Sequence, residues 1–209
     1  MPPATADAAA TDADLLAAFW RVVAAHGWTG VTMRRVAAES GQPLAALRRR
    51  FPSPLALLAA HLRAVDGEVL AGTVDDPTST PRDRLFDVLM RRLDALQPHR
   101  PGILRFLEDL PRDPLTALWL GGRLPGAMAW MLEAADIPSA GGPGLARAHG
   151  LAAVWLSTLR AWSRDDSQDL SASMAALDRA LDRADRAARL LRLDAGAADP
   201  APGMQPDAS

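Results

Sequence analysis

Apolar positions recur every three or four residues along most of this chain, and no segment alternates strictly between apolar and polar side chains. The pattern predicts an all-α protein without strands or internal repeats. From 12 to 26, Leu15, Leu16, Phe19, Val22 and Val23 share one face, and Gly27 marks the stop. Trp28 and Val31 are then expected to plug the core. Thr32 can cap a second helix running to Ser40, with Val36 and Ala37 inward. Gly41 stands where a chain leaving a helix needs positive φ. Pro43 suits the first turn of a third helix, which turns Leu47 inward and spreads Arg48, Arg49 and Arg50 over its outer surface. Ser53 and Pro54 give a cap and a first helical residue for the long run that follows.

The segment from 75 to 81 is polar and broken by proline, and it sets the expected domain boundary. The expected division is a leader over 1–11, a head domain over 12–75, a helical body over 81–194 and a disordered tail over 195–209. Within the body the pattern predicts helices over 82–97 and 103–110, then two helices over 115–135 separated by Gly121, Gly122 and Pro125. A loop over 137–144 precedes helices over 145–164 and 170–193. The last helix carries a narrow apolar stripe of Leu170, Met174, Leu177, Leu181, Ala184, Ala188 and Leu191, flanked by the pairs Asp182–Arg186 and Asp185–Arg189. Such a stripe serves either the core of its own domain or a contact between subunits.

Composition narrows the choice of function. With 209 residues, 49% of them hydrophobic, the chain can bury a sizeable core. The net charge of −2 advertises no polyanion partner for the chain as a whole. Its distribution does: seven arginines face three acidic residues between positions 12 and 65, three of the arginines consecutive. A local basic patch in a near-neutral protein is the electrostatic footprint of a small DNA-binding module. Absence of cysteine excludes a disulfide frame, a thiolate metal site and a cysteine nucleophile. No apolar run is long enough to span a membrane, and the first 14 residues lack the features of a signal peptide, so a cytoplasmic protein is expected.

No phosphate loop, metal-spaced histidine pair or nucleophile elbow is present; His26, His61, His99 and His149 are scattered, and an enzyme has no positive support. Asp169 is read as an N-cap of the last helix rather than a metal ligand. No cofactor is expected. Four tryptophans, Trp119, Trp130, Trp155 and Trp162, lie in the body with Phe106, Met128 and Met131. They are candidates to line a cavity for an apolar or aromatic molecule, with Arg123 at its mouth, although ordinary core is the alternative for each.

Thr32-Met33-Arg34, Val36-Ala37, Gly41, Ala46-Leu47, Phe51-Pro52-Ser53 and Leu57-Leu58 stand in the order and spacing of the DNA-binding domain of TetR-type transcriptional regulators, and the first third of the chain resembles that family. The resemblance implies a homodimer, paired through its last two helices, that binds double-stranded operator DNA as a repressor and takes a small effector in its body. The site residues it implies are Thr32, Arg34, Arg35, Pro43, Leu44, Arg48, Arg49 and Arg50. The chain departs from the family's usual phosphate-contacting residues at Pro43-Leu44, Arg48 and Pro54. A second, shorter resemblance lies in Asp165-x-Ser167-x-Asp169, Ser173 and Leu177-Asp178-Arg179-x-Leu181, which look like the C-terminal signature of lipid-binding accessory proteins of ubiquinone biosynthesis. It implies the alternative of an isoprenoid-binding protein that shares the TetR-type fold without relying on DNA.

Overall fold

A computed structural model describes residues 10–74, 78–167 and 169–190, and these form nine α-helices and two short 3-10 turns. The leader up to residue 9, positions 75–77 in the expected boundary, and Leu191, Leu193 and the tail lie outside the described residues. Among the described residues there is no strand.

α1 (Asp12–His26) opens with a capping box: Thr11 Oγ1 accepts from the Asp14 amide at 3.2 Å, and Asp14 Oδ2 accepts from the Thr11 amide at 2.8 Å. Its apolar stripe buries Leu15, Leu16, Phe19, Val22 and Val23. α2 (Met33–Ser40) begins as its sequence requires, with Thr32 Oγ1 accepting from the Arg35 amide at 3.2 Å. Gly41 then takes φ 67, ψ 12, and this left-handed residue turns the chain into α3 (Leu44–Arg50). Pro43 stands just before α3, as its extended N-cap, and Leu47 anchors α3 in the core. α4 (Pro54–Ala71) has the expected Ser53 cap, Ser53 Oγ accepting from the Ala56 amide at 3.2 Å.

In the body, α5 (Pro81–Leu96) leads through a 3-10 turn to α6 (Arg100–Asp109), then α7 (Pro114–Ala134), α8 (Gly141–Trp162) and α9 (Ser171–Leu190). Two elements differ from the sequence pattern. α7 is one helix rather than two: the carbonyl that Pro125 leaves without a donor belongs to Gly121, an exposed residue, so the lost bond leaves no polar group buried. α8 starts at Gly141 rather than after a loop, because Pro143 falls in its first turn, where no amide donor is needed.

The head and the body are closely joined. α6 lies along α1, and Gly102 permits the approach: a Cβ there would stand 2.4 Å from the Trp20 carbonyl oxygen. Beside it, the Trp28 amide donates to Asp109 Oδ2 and the Trp28 indole to Asp113 Oδ2, both at 2.8 Å. Two of the histidines that look scattered in sequence meet at this junction. The rings of His61 (α4) and His99 lie 5.4 Å apart, and both pack on Trp20 of α1. Burial, with His99 and Arg92 nearby, pushes His61 down to about 3.

Candidate nucleic-acid interface and apolar groove

The outer surface of the head is made by α2, the Gly41 turn and α3. Arg34 on α2, and Arg48 and Arg49 on α3, are exposed and make no ion pair or hydrogen bond among the described residues. Arg35 donates to the Gly30 carbonyl, which orders the turn before α2. Arg50 is drawn off this surface: its guanidinium pairs with Asp12, and its Nη1 donates to the Ala10 carbonyl at 2.6 Å. The run of three arginines therefore divides into two free cations and one that fastens α3 to the start of α1. Leu44, at the first position of α3, is exposed beside Pro43. Thr32 is occupied as a cap through its hydroxyl. The surface thus carries guanidinium groups on both sides of a helix-turn-helix, with an apolar side chain at the tip of the second helix.

The proposed aromatic cavity does not assemble. Trp130 points outward and is 60% exposed, while Trp155 is buried on α8. Trp119 lies at the surface under Arg123, whose guanidinium sits 4.9 Å from the ring. Phe106 is elsewhere altogether, between Trp20 and Trp28 at the α1–α6 junction. Met128 and Met131 are solid core. The continuity of α7 keeps Trp130 on the exposed side of a single helix, while Trp119 is half-buried against the core. What holds Trp155 is Arg92, a buried arginine whose guanidinium lies 5.2 Å from the indole and pairs with Asp66 of α4.

Part of the stripe on α9 serves the core of its own chain. Leu177 and Leu181 are buried against α8 and α5, Leu170 is buried at the start of the helix, and Met174 and Ala184 are half-buried beside them. Asp182 pairs with Arg82 of α5 instead of Arg186, at 2.6 Å, and Arg82 also reaches Asp178 at 2.7 Å. Those two carboxylates raise the Arg82 pKa further. The Asp185–Arg189 pair forms at 2.6 Å as its spacing suggests.

At the head of α9 the cap is more elaborate than one residue. Asp165 Oδ2 accepts from both the amide and the hydroxyl of Ser173 at 2.7 Å, and Oδ1 accepts from the amide and hydroxyl of Ser167. These bonds hold the Asp165 carboxyl well below the usual carboxylate range. Asp169 accepts from the Ser171 amide at 3.2 Å. The acidic and serine residues of this stretch are therefore a helix-starting device, and no group of three or more potential metal ligands occurs among the described residues.

A groove of about 950 Å³ does open in the body, where sequence gave no signal. It runs between α8 and α9 and is closed at one end by the start of α5 and the end of α7. Leu85, Leu132, Ile137, Leu151, Val154 and Leu181 make its floor; Gly150, Ala146, Ala153, Ala184 and Ala188 keep its walls low. Small residues on two facing helices leave space that no periodicity in either helix alone announces.

The order of helices, a helix-turn-helix head followed by a long connecting helix and a five-helix body, is that of the TetR-type fold. A TetR transcriptional regulator from Nitrosomonas europaea ATCC 19718 superposes with a TM-score of 0.69 at 20% identity, over 84% of this chain and 98% of that one. One from Rhodococcus sp. RHA1 gives 0.59 at 20% identity, over 82% and 93%. A third, from Streptomyces coelicolor, gives 0.57 at 16% identity, over 86% and 80%. No protein-family model and no curated protein matches the chain. Among the described residues no helix is long and apolar enough to cross a membrane.

Proposed function

We propose that this chain is a one-component transcriptional regulator of the TetR type, a cytoplasmic repressor that binds operator DNA through α2 and α3. The observation that carries this reading is the free state of Arg34, Arg48 and Arg49 on the outer surface of a helix-turn-helix. Guanidinium groups left without carboxylate partners on such a surface suit phosphates and the guanine edge in the major groove. Pro43 and Leu44 lead α3 into that groove. A single head makes few contacts, so the protein acts as a homodimer that presents two heads to a two-fold operator. The groove between α8 and α9 takes the effector, an apolar molecule, since nearly all of its floor is aliphatic.

A second reading is supported by the same groove. Its length along two helices and its aliphatic floor suit an isoprenoid chain, and in a lipid-handling protein of this fold the head would have no DNA partner. One experiment separates the two. Binding of the purified protein to the DNA upstream of its own gene is followed at increasing salt. The regulator reading expects a shift that weakens about tenfold or more between low and moderate salt, with Arg48→Ala/Arg49→Ala abolishing it at unchanged helicity. Retention indifferent to salt and to both arginines, with an isoprenoid lipid extracted from the purified protein, would leave the second reading standing.

A further inference from the structure

The outward face of α3 is set by what holds its other side. Leu47 is fully buried, and Arg50 is tied to Asp12 and to the Ala10 carbonyl, so neither turns outward. At 3.6 residues per turn, Ala45 and Arg49 lie on the side opposite Leu47, with Leu44 and Arg48 along one edge. All four are exposed, Leu44 at 45%. The face therefore has two parts: an apolar first turn of Leu44 and Ala45, and a cationic second turn of Arg48 and Arg49, which have no partner among the described residues. Between Gly41 and Leu47 the one side chain able to form a hydrogen bond is Gln42, half-buried in the turn before Pro43. Pro43 itself lacks an amide hydrogen.

We propose that Leu44 is the specificity-determining residue of the DNA interface and that, with Ala45, it selects thymine by its C5 methyl group. This selectivity rests on the regulator reading and adds to it the base that the leading turn accepts. A recognition helix meets base edges with its early residues. Every base pair offers hydrogen-bond donors or acceptors in the major groove, and the thymine methyl is the only apolar group among them. Leu44 set over a G·C pair would cover the guanine acceptors and the cytosine amino group and give them no partner, which is costly. Over thymine it gains apolar contact that offsets such a loss. Ala45 adds a second methyl-sized contact and, being small, keeps the helix close to the bases. Arg48 and Arg49 follow one turn later, about 6 Å along the axis and so near two base-pair steps of ~3.4 Å away. Their charge serves affinity, through phosphates and guanine, at positions beside those that Leu44 reads.

Random-sequence duplexes are selected on the purified full chain. The recovered sequence is remade with deoxyuridine replacing thymine one position at a time, which removes the methyl group and keeps the base pairing. At one or two positions in each half-site the replacement should weaken binding about fourfold, the loss expected for one buried methyl. Leu44→Ala, at equal helicity, should weaken binding to the thymine duplex and shrink that penalty below about twofold. Arg34→Ala should instead weaken both duplexes alike and leave the penalty unchanged. A recovered sequence without thymine, full affinity with deoxyuridine at every position, or a penalty of the same size in Leu44→Ala overturns the proposal; the last outcome assigns the effect to DNA shape. These measurements use duplexes that the chain retains in a salt-dependent way, so the regulator reading stands when the thymine assignment fails. If no duplex is retained, the regulator reading fails and the thymine assignment falls with it.

Discussion

At the scale of single residues the clearest liability is His61, an imidazole almost wholly enclosed by Trp20, His99 and the start of the body. The titrating groups that act on it are cationic, His99 before α6 and Arg92 on α5, the latter paired with Asp66; Arg21 on α1 acts in turn on His99. Both histidines are held below the ordinary value of 6.5, His61 down to about 3, so the folded protein keeps His61 neutral where the unfolded chain takes up a proton. Stability from this site is therefore complete above about pH 6.5 and drains away as the pH falls toward 3, at about 1.4 kcal/mol per unit for one group. Urea unfolding at pH 7 and pH 5 should show the loss, and His61→Phe should remove much of it. A pH dependence identical in the variant would mean that carboxylates elsewhere carry the effect. Sequence gave the four histidines only as scattered points, since proximity across α1, α4 and the turn before α6 leaves no trace in spacing.

At the scale of elements, the contact of α6 with α1 depends on one missing side chain. Gly102→Ala would bring a methyl group to within 2.4 Å of the Trp20 carbonyl oxygen, a backbone atom that cannot step aside. We expect a loss of about 1–3 kcal/mol, read as a lowered melting temperature, with the Trp28 bonds to Asp109 and Asp113 weakened in the same variant. A melting point equal to the parent's would show that α6 tolerates a shift. The helices whose starts are written in local chemistry, at Thr11, Thr32, Ser53 and Thr80, follow the sequence pattern closely. α7 does not, because its packing against α8 and α5 carries the helix through the lost bond at Pro125, and such packing is a property of the fold rather than of the segment. The same distinction separates the two site readings. Free arginines on α3 were legible as a consecutive run, whereas the withdrawal of Arg50 required Asp12, 38 positions away, and the groove required two helices to face each other with their alanines.

At the scale of the whole molecule, head and body were legible as two stretches of different pattern joined by a polar, proline-broken segment. The structure gives that division a different meaning. Apolar surface of α1 is covered from the far side by α6, through Trp20, Trp28 and Phe106, so the hydrophobic interior passes without interruption from one stretch into the other. The polar segment is then a crossing in the chain and not a seam in the matter it connects. A fragment ending at residue 74 would leave Trp20 and Trp28 facing water and should not hold a native fold by itself, and heating the full chain should give a single transition whether helicity or tryptophan emission is followed. Two separated transitions, or a well-folded fragment, would contradict this. If the transition is single, any molecule that settles in the body raises the temperature at which α2 and α3 melt, in the way that a weight on one end of a board holds the other end down.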